Sequence, residues 1–221
     1  MTKSRKFHGG IERRRNFRNL NESEPDVRPV PVKVDPLQAD VGATKRLGPS
    51  LYRRVLGERF EALPEVLRRF HDAPRGGKAR GSLRVERPVG RFRNALASLL
   101  GMPEAAEDVP VRLQVVVEAD RECWLRWFGS RRLRTVQWAR GDLLMEAFGP
   151  LSFASALVLD GSCLHYEFQR AWFARVPLPR WLAPSTSGSV VAGERGWRLA
   201  VRIYAPWFGE LVHYEGWVEP E

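Results

Sequence analysis

The residues best placed to do chemistry lie on one short stretch, Trp124-x-Arg126-x-Phe128, within a segment from Cys123 to Trp138 that reads as two strands folding back at Gly129-Ser130. Side chains alternate faces along a strand, so Trp124, Arg126 and Phe128 share one face, and Cys123, Leu125 and Trp127 share the other. An arginine between two aromatic rings has two readings. It is a cation in an apolar cavity, its guanidinium presented bidentately to a carboxylate or phosphate head group with the rings as walls. Alternatively it stacks on Trp124 and pairs with a neighbouring glutamate, as many surface arginines do.

Four histidines complete the candidates for proton transfer or metal binding, and three fall at ordered positions. His71 ends a helical segment before Pro74 and Gly76-Gly77, where the helix dipole favours its protonated form. It either points a polar group into a pocket or bonds the backbone as a helix-ending histidine. His165 with Glu167, and His213 with Glu215, form His-x-Glu pairs on strand faces, a spacing open to metal binding or acid–base work but equally ordinary for a solvated face. Cys123 and Cys163 could pair, yet two cysteines make neither a disulfide framework nor a zinc spacing. The chain has no Gly-x-Ser-x-Gly elbow, no glycine-rich phosphate loop after a strand and no Cys-x-x-Cys. No catalytic residue, metal site or cofactor is therefore assigned.

Charge narrows the classes further. The net charge of +10 suggests nucleic acid until it is located: residues 1–20 carry Lys3, Arg5, Lys6, Arg13, Arg14, Arg15 and Arg18 against Glu12, a balance of +6. The remaining 201 residues hold only +4, so the excess belongs mainly to a tail. That tail could touch nucleic acid or an anionic surface weakly, or simply aid solubility, and a nucleic-acid groove in the body is the poorest of the readings. No run approaches a membrane span and the N-terminal stretch lacks an apolar h-region, so a soluble cytoplasmic protein is expected.

The elements that must position these residues follow from periodicity. Residues 1–47 are polar, basic and proline-containing and read as a disordered tail; residues 48–221 read as a single α+β domain. Ser50 suits an N-cap ahead of Leu51, Val55 and Leu56, with Gly57 inside the segment; Pro64 suits the first turn of a second helix carrying Leu67 and Phe70. A short strand at 81–87 precedes an amphipathic helix with Phe92, Leu96, Leu99 and Leu100, stopped by Gly101. From Val109 the period becomes two, with further runs at 143–148, 151–159, 162–173, 189–192, 197–204 and 211–218. Short breakers, Asp160-Gly161 the strongest hairpin signal among them, force antiparallel pairing. The expected fold is a strongly curved antiparallel meander or barrel-like sheet of about eight to ten strands, with two or three N-terminal helices packed on it. Several strands are apolar on both faces, as if one face filled the interior while helices covered the other. The proline-rich run Pro177-Leu178-Pro179-Arg180-Trp181-Leu182-Ala183-Pro184 cannot be a central strand and reads as a lid over a cavity mouth or a plug at a sheet end.

Taken in order, Leu63-Pro64, Leu67, Phe70-His71, Trp124-x-Arg126-x-Phe128, Phe148-Gly149-Pro150-Leu151, the run from Pro177 to Pro184 and Tyr214-x-Gly216-Trp217 resemble a bacterial family, domain of unknown function 4166, over about residues 51–218. The resemblance implies no established activity. It marks His71, Trp124, Arg126, Gly149, Pro179, Trp181 and Tyr214 as positions of interest. Family members often sit behind NAD-binding domains of the short-chain or saccharopine dehydrogenase type. This chain has no dinucleotide fingerprint, so an oxidoreductase role would need a separate partner. The leading expectation is a non-catalytic module holding a small apolar or amphipathic ligand against Arg126, Trp124, Phe128, His71, Trp181 and Tyr214. The alternatives are an accessory or catalytic domain acting with a dehydrogenase-type partner, using His71 with His165, Glu167 or His213, and a structural interaction domain marked by an exposed apolar patch.

Overall fold

The computed structural model describes Arg46 and residues 48–221. The expected disorder of residues 1–47 therefore lies, Arg46 aside, outside the described residues.

The first helix, α1 (Leu51–Leu56), begins where the Ser50 hydroxyl accepts a hydrogen bond from the Arg53 amide. It buries Leu51, Tyr52, Val55 and Leu56 and stops at Gly57, whose φ of 58° an L-residue rarely adopts. Gly57 thus ends the helix rather than lying within it, and the chain continues as a 3-10 turn (Gly57–Ala62). Pro64 leads into α2 (Glu65–Asp72), which buries Leu67, Phe70 and His71 on one side. The third helix, α3 (Arg91–Leu99), lies between the first two strands.

The described residues form eleven strands: β1 (Lys78–Glu86), β2 (Ala106–Glu118), β3 (Arg121–Phe128), β4 (Arg131–Arg140), β5 (Leu143–Phe148), β6 (Leu151–Asp160), β7 (Cys163–Phe173), β8 (Val176–Pro177), β9 (Ser185–Ala192), β10 (Trp197–Ala205) and β11 (Gly209–Pro220). Every pairing is antiparallel. Because β6 also pairs β7, and β1 pairs β11, ten strands close into a barrel, with β8 a two-residue addition on β7. Closure removes the exposed edges that an open sheet of this length would carry. The Cys123–Trp138 hairpin turns at Gly129-Ser130 with Phe128 opposite Arg131. The β6–β7 turn uses Gly161-Ser162, because Asp160 still pairs with Cys163; it falls one residue later than the Asp160-Gly161 signal suggested.

The barrel has two different ends. The β2–β3, β4–β5, β6–β7 and β9–β10 turns lie at one, with the entry to β1. At the other lie the β3–β4, β5–β6 and β10–β11 turns, α3, and the segment leading from β7 to β9. The N-terminal helices sit at the first end and reach inward: Tyr52, Leu67, Phe70 and His71 line the barrel's interior. That departs from the expectation of helices spread over an outer sheet face. The amphipathic stripe dictates that these helices bury one side, and the open barrel end supplies the apolar surface.

Close approach at the closing seam depends on Gly216. A Cβ there would meet the Ser82 carbonyl oxygen at 2.2 Å. On the outside of the barrel a smaller apolar cluster joins Met145, Ala154 and Trp172. It accounts for the second apolar face of β5, β6 and β7.

Candidate ligand-binding site

A barrel's diameter grows with its strand number, and ten strands leave room that about eight would fill with side chains. Here the interior encloses a cavity of about 460 Å³, within the size range of small-molecule sites. Leu113 and Leu133 lie directly beside Arg126 on the neighbouring strands, and Phe148, Leu199, Val201 and Ile203 extend the apolar wall. At the helical end the lining residues Tyr52, Leu67, Phe70, His71 and Trp197 are all buried, so the cavity is closed there. At the opposite end Leu182, Trp207 and Phe208 line it while remaining exposed, which marks the mouth.

Arg126 projects into this cavity from the middle of β3. Its guanidinium donates to Thr135 Oγ1 at 2.6 Å and to Glu146 Oε1 at 3.1 Å, and lies 5.1 Å from the Trp124 ring centre. It is thus stacked on Trp124 and paired with Glu146, as the second reading has it, but inside an apolar cavity rather than at the sheet surface. Burial pulls against its charge, but the Glu146 carboxylate and the neighbouring phenols outweigh that and raise its pKa. Around it stand three tyrosines. The Tyr52 and Tyr166 hydroxyls lie 3.0 Å apart, joining the helical plug to β7. Burial pushes Tyr166 and Tyr214 up to about 12, and Tyr52 well above the ordinary phenol range, so all three are neutral hydrogen-bonding groups at neutral pH. Gln137 Oε1 is buried nearby without a partner.

His71 behaves against the dipole expectation. Its ring stacks on Tyr52 at 3.5 Å, meets Phe70 edge-on at 5.3 Å, and its buried Nδ1 has no hydrogen-bond partner. Burial, reinforced by the positive charge of Arg46, lowers its pKa to about 3 despite the opposing Asp72 carboxylate. A dipole at an exposed helix end would favour the imidazolium; inside the barrel, desolvation wins. Arg46 is itself held by Glu122 at 2.8 Å, and Glu122 also accepts from the Trp124 indole at 3.2 Å. The plug is thereby tied to the same strand that carries Arg126.

Of the six residues the sequence singles out for a ligand, Arg126, Trp124, Phe128, His71 and Tyr214 all line the cavity. Trp181 does not: its indole is 66% exposed and packs 5.9 Å from Trp207 beyond the mouth. Its neighbours Leu182 and Pro184 do reach the lining, so the proline-rich run borders the opening through those two side chains. The other candidates do not gather on this cavity. His213 faces Glu86 at 3.4 Å, not Glu215. His165 and Glu167 share a shallow outer hollow with Tyr204, and no hydrogen bond joins them. Among the described residues no cluster of three or more His, Cys, Asp or Glu could hold a metal, and both cysteines are free.

Glu146, Thr135, Gln137, Tyr52 and Tyr166 were not singled out in advance. Glu146 did carry a signal, because it alternates in phase with Leu144 and Phe148, a lone charge on an otherwise apolar strand face.

A protein-family model described as Domain of unknown function (DUF4166) matches residues 63–218. No curated protein and no solved structure matches the chain.

Proposed function

The chain belongs to the domain of unknown function 4166 family, and we propose that it is a non-catalytic module that holds one small amphipathic molecule inside its barrel. The observation that carries this reading is the chemistry of the 460 Å³ cavity, an apolar wall with one polar cluster at mid-depth around Arg126. The apolar body of the ligand points to the mouth, flanked by Phe128 and Tyr214, and its head meets Arg126, Thr135 and Glu146. Arg126 lies three residues from the turn at Gly129, so that body spans about 10 Å at a rise of roughly 3.3 Å per residue.

The charge on the cavity wall sharpens the head group. Glu146 already offsets Arg126, and His71 and the three phenols are neutral at neutral pH. A carboxylate head would bring a second negative charge beside Glu146, and burying it would require breaking an existing pair. A hydroxyl, carbonyl or amide head can instead take the unused donors of Arg126 and the second oxygen of Glu146. The ligand class is therefore an uncharged amphiphile, where Arg126 considered alone suggested an anion. Proton transfer at neutral pH is most effective from groups titrating near neutrality, and His71 at about 3, Tyr166 and Tyr214 at about 12, and Tyr52 raised well above the ordinary phenol range stand far from it.

Native mass spectrometry of protein purified without detergent should find a retained small molecule. In solution the uncharged fluorophore N-phenyl-1-naphthylamine should brighten on binding and be displaced by 1-decanol at a concentration at least about tenfold below that needed with decanoate. Leu133→Trp, which fills the space beside Arg126, should abolish uptake. No retained mass together with no probe uptake would end this reading; uptake with decanoate preferred would end its neutral-head form.

A further inference from the structure

We propose that the mouth of the barrel is a docking surface for an anionic lipid bilayer. All but two of the eleven exposed large hydrophobic side chains among the described residues lie at the mouth end; the exceptions are Val191 and Trp217. They come from separate segments that only the fold brings together. Phe92 and Leu99 stand 82% and 83% exposed on α3, while Leu96 within it and Leu100 just after it line the cavity. Trp181 belongs to the proline-rich segment, and Trp207, 76% exposed, to the β10–β11 turn. A solvated rim has no physical reason to concentrate aromatic and aliphatic side chains, and contiguous exposed apolar surface marks an interaction site.

Two further observations select a bilayer. Tryptophan and phenylalanine are suited to the headgroup level, with arginine beside them reaching lipid phosphates. Of the carboxylates at this end, Glu86 and Glu107 share Arg84, Glu104 pairs with Arg131 and Glu210 with Arg202, while Asp108 accepts from the neutral Ser82 hydroxyl. Among the described residues Arg91, Arg93, Arg175 and Arg180 have no carboxylate partner, so arginine outnumbers carboxylate on the rim and leaves net positive charge among its apolar groups. Trp207 also holds a φ of 60°, unusual for a bulky residue, in the turn that carries its exposed indole. A protein partner would be served by the apolar groups, but not specifically by four free arginines spread through the same ring.

The surface acts whatever the cavity holds, and its test needs no cavity ligand, so its failure leaves the barrel's proposed cargo untouched. Full-length protein is sedimented with vesicles of phosphatidylcholine alone or with about one-third phosphatidylglycerol, with brominated acyl chains added to quench inserted tryptophans. The wild type should bind the anionic vesicles at least about tenfold more tightly than the neutral ones and show quenching. Phe92→Ser/Leu99→Ser/Trp181→Ser/Trp207→Ser should lose binding at least about tenfold while keeping residues 1–20 intact, and Arg91→Glu/Arg93→Glu/Arg180→Glu should lose the anionic preference. Circular dichroism and cooperative urea unfolding check that each variant folds; the single changes Trp181→Ser and Trp207→Ser, each expected to weaken binding and quenching, replace any that does not. Unaltered binding by the rim variants would assign membrane contact to the basic tail and overturn the proposal. So would a wild type that ignores vesicles and instead forms dimers, which would make the rim a protein interface.

Discussion

Replacing His71 by phenylalanine should remove most of the acid sensitivity specific to the helical plug. In the folded chain this imidazole titrates at about 3, against an ordinary value of 6.5. Its folded pKa is lowered, so below 6.5 the unfolded chain takes up a proton that the folded chain refuses, and stability falls as pH falls. Above 6.5 the residue contributes no pH dependence. The full penalty is about 5 kcal/mol, reached near pH 3, and about 3 kcal/mol has accumulated by pH 4.5. His71 is only 6% exposed, so solvent screening does little to reduce this. Urea unfolding, followed by tryptophan fluorescence at pH 7.5 and 4.5, reads the difference. Carboxylates such as Asp72 and Glu61, held low in part by bonds to Arg53, also lose stability toward acid, but they do so in both proteins. The expected result is a wild type whose loss exceeds that of His71→Phe by about 3 kcal/mol. Parallel losses in the two proteins would refute the account of a neutral imidazole buried between Tyr52 and Arg46.

Arg126→Met should destabilise by about 3 kcal/mol, the lower end for a broken buried pair because Glu146 keeps some exposure. Adding Glu146→Leu should bring the protein back to within about 1 kcal/mol of wild type in the same urea assay, and a double variant no better than Arg126→Met would contradict the pairing argument. Tyr52→Phe should cost about 1 kcal/mol, with Tyr166→Phe adding little on top, since both act on the 3.0 Å hydroxyl contact; full additivity in a double-mutant cycle would deny that contact any energetic weight. Gly216→Ala should cost about 3 kcal/mol in thermal unfolding, because its methyl would press on the Ser82 carbonyl across the closing seam, and an unchanged midpoint would show that the seam yields.

The inward facing of Trp124, Arg126 and Phe128 was legible because alternation fixes which side chains share a face. Partner strands were less so. Alternation cannot tell that β1 meets β11, so a barrel-like sheet could be expected from the strand count, but neither its closure nor the place of the seam could be fixed. Strand β9 was expected only from Ser189, since Ser185-Thr186-Ser187-Gly188 has no apolar alternation; its pairing comes from β10 and β7 on either side. The helices announced an apolar stripe without announcing what would receive it. At the site, an arginine between rings is conspicuous, whereas Thr135, Gln137 and Tyr52 are ordinary in composition and acquire meaning only from the space they face. His71 was misread for the same reason: helix position is written locally, but the desolvation that governs its proton depends on the barrel around it.

The pairing of β1 with β11 also sets an order of events for a newly made chain. Every other pairing in the ring joins strands that are consecutive in sequence or separated by a short segment, whereas Glu86 and His213, opposite one another at the seam, are 127 residues apart. Bringing such distant residues together costs about 4 kcal/mol of chain entropy, beyond a constant term. Strand β1 leaves the ribosome early, and one of its two edges has no lawful partner until β11 has been synthesised. During that interval the half-built sheet offers an unpaired strand to any neighbouring chain, so crowded synthesis is the stage at which this barrel is most exposed to aggregation.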